Sequence, residues 1–127
     1  MRIRKRSFLM LVMFFCGCTP TSIEKVYGTY VATYPFGTDT ITLNRNGSFV
    51  QQVIVNNDPT PANIKGHWIF NSDNGYVTFD AYLAIDDGFG RLNSKWRTPD
   101  GNADLPVDRA MFRTIMSSGA QHPYVKQ

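Results

Sequence analysis

After residue 22, short runs rich in Val, Ile, Thr and Tyr alternate with clusters of Gly, Asn, Asp and Pro. That texture predicts an antiparallel β-domain, because strands favour branched and aromatic side chains while the polar clusters favour turns. The cleanest signal lies at residues 76–85. Val77, Phe79, Ala81, Leu83 and Ile85 alternate with Tyr76, Thr78, Asp80, Tyr82 and Ala84. A period of two over this stretch predicts one strand with the first set on a buried face. Further strands are predicted at 26–34, 39–43, 48–55, 64–70 and 124–126. In the second, Ile41 and Leu43 share one face. In the fourth, alternation turns Trp68 inward and His67 outward.

Turn chemistry punctuates these runs. Asn46-Gly47 follows Asn44-Arg45 and suits a tight hairpin, which needs positive φ at successive residues. The segment 56–61 carries Pro59 and Pro61 and cannot continue a ladder, since proline has no N–H to donate. From 86 to 106 the alternation stops. A stretch that long without regular structure is unusual, and such loops are often functional or partly ordered. Residues 92–96 read as a short strand or turn within it. Residues 107–116 fit two patterns: a helix beginning after Pro106, or a strand with Val107, Arg109, Met111, Arg113 and Ile115 on one face. The strand is preferred, because residues 117–121 then link it to 124–126 as a hairpin. The fold class is all-β, a small antiparallel meander or barrel of seven to eight strands.

The beginning of the chain differs in kind. Arg2, Arg4, Lys5 and Arg6 precede the uncharged run from Phe8 to Phe15, then Cys16, Gly17 and Cys18. A basic segment, a short apolar segment and small residues form the pattern of an export leader. The run is too short for a membrane span, which takes about 20 apolar residues. The organisation expected is a leader at 1–17, a modified cysteine and short polar tether at 18–25, and one domain at 26–127. One domain also suits a chain of 127 residues.

This division changes the meaning of the charge. The full chain carries +3, but with the leader removed nine basic side chains face ten acidic ones, a net of −1. Nucleic-acid binding, which the basic balance of the whole chain suggests, is therefore disfavoured. The cysteines lie at 16 and 18, so the mature chain has no internal disulfide.

Two resemblances follow. Phe15-Cys16-Gly17-Cys18 resembles the lipobox of bacterial lipoproteins, which implies diacylglycerol on Cys18 and anchoring by more than one acyl chain. Thr19 follows the cysteine, which by analogy with enterobacterial sorting implies the outer membrane, facing the periplasm. Gly28-Thr29-Tyr30, then Gly37-x-Asp39-x-Ile41-x-Leu43-Asn44-x-Asn46-Gly47-x-Phe49, then Gly66-x-Trp68, resembles small bacterial lipocalin-like lipoproteins. The resemblance covers residues 26–70 and implies a β-barrel. Lipocalins proper are longer and enclose a ligand.

Catalytic chemistry is thinly supplied. His67 and His122 are the histidines and Glu24 the one glutamate, so neither a catalytic triad nor a zinc site is expected. Asn71-Ser72-Asp73-Asn74-Gly75 loosely resembles the start of a calcium loop, but the twelfth position is Tyr82 rather than glutamate, and a turn is the better reading. Asp80, Asp86 and Asp87 are paired carboxylates only if a cleft gathers them. No cofactor or metal is expected. The strongest candidate surface is the loop bearing Phe89, Arg91, Lys95, Trp96 and Arg97, since exposed aromatics beside arginine compose binding hot spots. The competing reading has Phe89 and Trp96 plugging the barrel end with the three cations in solvent. The expected function is a lipid-anchored, non-catalytic envelope protein that binds another envelope protein, a glycan or a small hydrophobic ligand. A pocketless structural or inhibitor-like module is the alternative, and an envelope hydrolase is the least favoured.

Overall fold

The computed structural model describes residues 22–110, 113–117 and 122–127. The expected leader, Cys18, Met111 of the expected strand and most of the expected 117–121 hairpin loop lie outside the described residues. A single helical turn, α1 (Ile23–Val26), leads into eight strands: β1 (Gly28–Tyr34), β2 (Gly37–Leu43), β3 (Ser48–Val55), β4 (Ala62–Asn71), β5 (Tyr76–Phe79), β6 (Ala103–Ala110), β7 (Arg113–Met116) and β8 (Tyr124–Lys126). They pair in sequence order, each antiparallel to the next, and β8 returns to β1 to close a barrel. Closure removes the unpaired strand edges that would otherwise recruit other chains. The closing seam is narrow, with Tyr30 opposite Lys126 and Val31 opposite Val125. Among the described residues no helix is long and apolar enough to cross a membrane.

The interior follows from the alternation. Tyr30, Ala32, Ile41, Leu43, Phe49, Val53, Trp68, Val77, Phe79, Leu83 and Ile85 are all buried. Phe49 and Phe79 meet edge to face at 5.0 Å, and the Trp68 indole donates to the Asn44 carbonyl at 2.9 Å. Burying the indole here leaves no polar atom unpaired, as a buried tryptophan requires.

Several boundaries differ from the sequence reading, each for a local reason. The first strand starts at Gly28 rather than Val26, because Val26 closes the helical turn and its carbonyl accepts the Tyr30 hydroxyl at 2.6 Å. The hairpin at residues 44–47 has positive φ at Gly47 (+85°) but not at Asn46. Gly47 N–H donates to Asn44 O and Asn44 N–H to Ser48 O, so an ordinary turn plus one left-handed glycine makes the reversal.

The segment 76–85 is a strand only as far as Phe79. At Asp80 the chain leaves the ladder, and its carboxylate accepts the His67 backbone N–H at 2.8 Å. Leu83 and Ile85 stay buried without being in a strand, so alternation reported burial correctly and element type wrongly. Ala81, expected inside, is only half-buried.

The irregular segment ends earlier than expected, since 103–106 already belong to β6. Pro106 sits within that strand. A residue's N–H and C=O point to the same side of a strand, and the Pro106 carbonyl accepts from Ser117. The missing donor thus falls past the end of the β6–β7 ladder and costs no pairing with β5. Residues 107–110 and 113–116 are strand rather than helix, and they are two strands rather than one. Val107 pairs with Met116 and Ala110 with Arg113. The hairpin reverses the predicted facing in β7, where Thr114 and Met116 are buried and Ile115 is half-buried.

Candidate functional site

The barrel has two unlike ends. At one, α1 and the β2–β3 turn meet: Arg45 pairs with Glu24 at 3.0 Å, and the Tyr27 ring packs on Trp68 at 5.5 Å. The chain enters the fold here. The segment 80–102 runs across to the other end. Ile85 packs against Gly37 beside the β1–β2 turn, where a Cβ would stand 3.2 Å from its Cδ1. Arg97 reaches the β3–β4 loop and donates to Asp58 Oδ1 at 2.8 Å and to the Thr60 carbonyl at 2.5 Å. The candidate loop therefore stands at the end distal to the point of entry.

The five residues of that loop divide. Trp96 is buried, at 7% exposure, and joins the core. Arg97 lies over its ring, 4.1 Å from the centroid, and is spent on holding the β3–β4 loop. Both serve the closure of the barrel end. Phe89 is 81% exposed. Arg91 and Lys95 are exposed as well. Of the plug reading, Trp96 satisfies it and Phe89 does not.

Phe89 is held out by its own turn. Asp87 Oδ1 accepts the backbone N–H of Phe89 at 2.8 Å and of Arg91 at 3.2 Å. Asp87 Oδ2 accepts from Arg91 Nε at 3.0 Å, and the Arg91 guanidinium lies 5.8 Å from the Phe89 centroid. Asp86 Oδ1 takes the Gly88 N–H. Gly88 and Gly90 carry φ of +90° and +75°, a backbone that glycine adopts without strain. The amides capping Asp87 hold its carboxyl below the usual carboxylate range, the Phe89 N–H first among them and Arg91 beside it. Asp86 and Asp87 are thus turn-builders rather than an acid–base pair.

His67 and Asp80 do come together, with Nδ1 to Oδ2 at 3.0 Å. Ser48 is the cross-strand partner of His67, so the outer face carries a Ser-His-Asp row. Its geometry does not suit nucleophilic catalysis. The Ser48 hydroxyl donates to Asn46 Oδ1 at 2.6 Å and accepts from Asn44, and the His67 and Asp80 side chains are 80% and 50% exposed. Catalytic dyads work in enclosed, pre-organised sites. In the turn at 71–75, Asn71 and Asn74 oxygens cap the N–H groups of Asp73 and Tyr76. Among the described residues no group of three or more His, Cys, Asp or Glu side chains is placed to hold a metal.

One cluster escaped the sequence reading. Asp39 and Gln51 are fully buried inside the barrel. Gln51 Nε2 donates to Asp39 Oδ1 at 3.0 Å and to the Leu83 carbonyl at 2.8 Å, while Gln51 Oε1 accepts the Leu83 N–H at 2.8 Å. The Tyr124 hydroxyl donates to Asp39, and Tyr82 meets Tyr124 at 2.7 Å. Burial pushes the Asp39 carboxyl up to about 7, against the lowering effect of the Tyr124 and Gln51 hydrogen bonds. The alternation did carry a signal: Asp39 shares parity with Ile41 and Leu43, and Gln51 with Phe49 and Val53. The network ties β2, β3, β8 and the crossing segment together. Among the described residues no buried side-chain nitrogen or oxygen lacks a hydrogen-bond partner.

A shallow groove of about 340 Å³ lies outside the β1–β8 seam, lined by Val31, Thr33, His122, Pro123, Val125 and Gln127. Compared with models of known families, with curated proteins and with solved structures, the chain matches none.

Proposed function

We propose that this protein is a lipid-anchored bacterial envelope protein, held by diacylglyceryl-Cys18 in the outer membrane and facing the periplasm. Its barrel is a non-catalytic module that presents the Phe89 loop to another envelope protein. The observation that carries this reading is the opposition of the two ends. The chain enters beside α1, and a self-capped turn displays Phe89 at the far end. Strands rise about 3.3 Å per residue, so the two features stand on the order of 20 Å apart. An exposed aromatic beside Arg91, on a turn whose backbone Asp87 holds, has the composition of a hot spot.

The buried side chains of Ile41, Trp68, Val77, Phe79 and Leu83 occupy interior positions that a ligand-binding lipocalin would leave to its ligand. That favours a surface partner over a small hydrophobic ligand. A glycan partner is the second reading, supported by the same exposed aromatic, since sugars stack on such rings.

Two measurements test the proposal. Cys18→Ser should release the protein from the membrane fraction; unchanged fractionation would sink the anchor. Crosslinking from a photoreactive residue at exposed position 94 in intact envelopes should capture a discrete protein. Phe89→Ala should weaken that capture by roughly thirtyfold, as hot-spot truncations do. Equal capture by wild type and Phe89→Ala would refute the loop's role, and crosslinks to glycan alone would transfer the role to the second reading.

A further inference from the structure

The end where the chain enters has its own chemistry. Lys25 and Arg45 are exposed there. Lys126 Nζ donates to the Lys25 carbonyl at 2.8 Å, which brings the third cation into the same place. The Arg45 guanidinium lies 4.8 Å from the Tyr27 centroid and shares Glu24 with no other cation among the described ion pairs. Burial, and next the Arg45 charge, lower the Lys126 pKa, as expected of cations crowded together. Ile23, 43% exposed, projects beside them. The other carboxylates at this end are Asp73, in the 71–75 turn, and Asp108, in β6. Arg45 is matched by Glu24 as Arg91 and Arg97 are by Asp87 and Asp58 at the distal end, whereas Lys25 and Lys126 are in no ion pair among the described residues.

Cys18 and Ile23 are five residue steps apart, a reach of about 17 Å. A chain anchored at Cys18 therefore cannot carry this end far from the bilayer. We propose that the end bearing Ile23, Lys25, Arg45 and Lys126 is a seat for an anionic membrane surface, the three cations meeting lipid phosphates and Ile23 entering the interface. The seat rests on the anchored reading above and deepens it. It stands the barrel upright, so that the Phe89 loop points away from its own membrane. Lipid chains and basic residues are complementary signals: the chains hold the protein near the surface, and the charges decide how it lies there.

The full-length protein, purified from envelopes, would be reconstituted into vesicles of phosphatidylcholine alone or of phosphatidylcholine and phosphatidylglycerol in equal parts. With Cys18 lipidated and Cys16 in the leader, a cysteine at Ser72→Cys or Ser94→Cys is a unique labelling site. Energy transfer to a headgroup-labelled lipid then reads orientation. Ser72 lies in the turn at the seated end and Ser94 in the distal loop. The seat predicts stronger transfer from 72 than from 94 on anionic vesicles, a difference removed by high salt and by the triple variant Lys25→Gln/Arg45→Gln/Lys126→Gln. Each cation near an anionic surface strengthens association about fivefold. An unchanged thermal melt shows that the variant still folds, and the salt arm needs no variant.

Flotation separates the two ideas. Flotation with both vesicle types but no orientation difference overturns the seat and keeps the anchor. Flotation with anionic vesicles alone keeps the seat and overturns the anchor. Flotation with neither overturns both.

Discussion

Asp39 is the residue whose chemistry most affects the whole protein. As a carboxylate it accepts from Tyr124, which in turn can accept from Tyr82. As a neutral acid it must donate, and the only mobile protons opposite are those hydroxyls, so protonation reverses the direction of the chain. Gln51 cannot adapt, because both ends of its amide are committed to the Leu83 backbone. Burial raises the folded pKa to about 7, above the ordinary carboxylate range, so the folded state binds the proton more tightly than the unfolded one. Its contribution to stability is fully present below about pH 4 and is lost as pH rises through 7. The surface carboxyls Asp58, Asp80 and Asp87 are shifted the other way, each chiefly by backbone N–H groups, and lose their contribution only as pH falls below the ordinary carboxylate range. Thermal melts should therefore show greatest stability near pH 4–5 and a decline towards pH 8. In Asp39→Asn that decline should vanish, with a lower melt at acid pH because the new amide meets the Gln51 donor. A melt that rises from pH 5 to pH 8 in wild type would contradict the assignment.

Single elements decide how the loop residues divide. Trp96 and Phe89 are seven positions apart in one irregular segment, yet one closes the core and the other faces water. Trp96→Ala should cost about 3–5 kcal/mol, the range for emptying a buried tryptophan site. Phe89→Ala should change stability by less than about 0.5 kcal/mol, as for surface positions. Urea denaturation of the two variants measures both, and equal losses would show that Phe89 packs in solution. In β4, Gly66 is needed for a close approach: a Cβ there would stand 2.2 Å from Asp80 Oδ1 and 2.7 Å from Phe49 Cε1. Gly66→Ala should destabilise the fold by roughly 1–3 kcal/mol through overpacking, and a calorimetric melt reads that loss.

At the scale of the molecule, stability depends on closure through a short strand. β8 joins β1 at two positions, and its first residue, Tyr124, is fully buried and linked to Asp39. Ending the chain after Pro123 removes the last seam of the barrel and orphans the Asp39 network. Cooperative unfolding should disappear in that truncation, as judged by the loss of a sigmoidal melt. Closure also sets orientation: because neighbouring strands alternate in direction, the entry of the chain and the crossing segment's turns fall at opposite ends. The anchored and partner-facing surfaces proposed above follow from that topology.

The all-β class and the inward and outward parity of most strands, though not of β7, were legible from the sequence. A period of two is a local property of the backbone, and burial of one face leaves its mark at every second residue. Val77, Phe79, Leu83 and Ile85 were read as buried for that reason. Local pattern could not show where a strand loses its partner, so the end of β5 at Phe79 depended on pairing with distant segments, and the division of 107–116 into two strands on β6 and β7 pairing with each other. Nor could it show that two polar residues of inward parity, Asp39 and Gln51, meet Tyr124 and the Leu83 backbone inside the barrel. The candidate loop was found by composition. Its division into a buried Trp96, a bracing Arg97 and a displayed Phe89 was decided by the tertiary structure, because exposure depends on what else the closed barrel brings to that end.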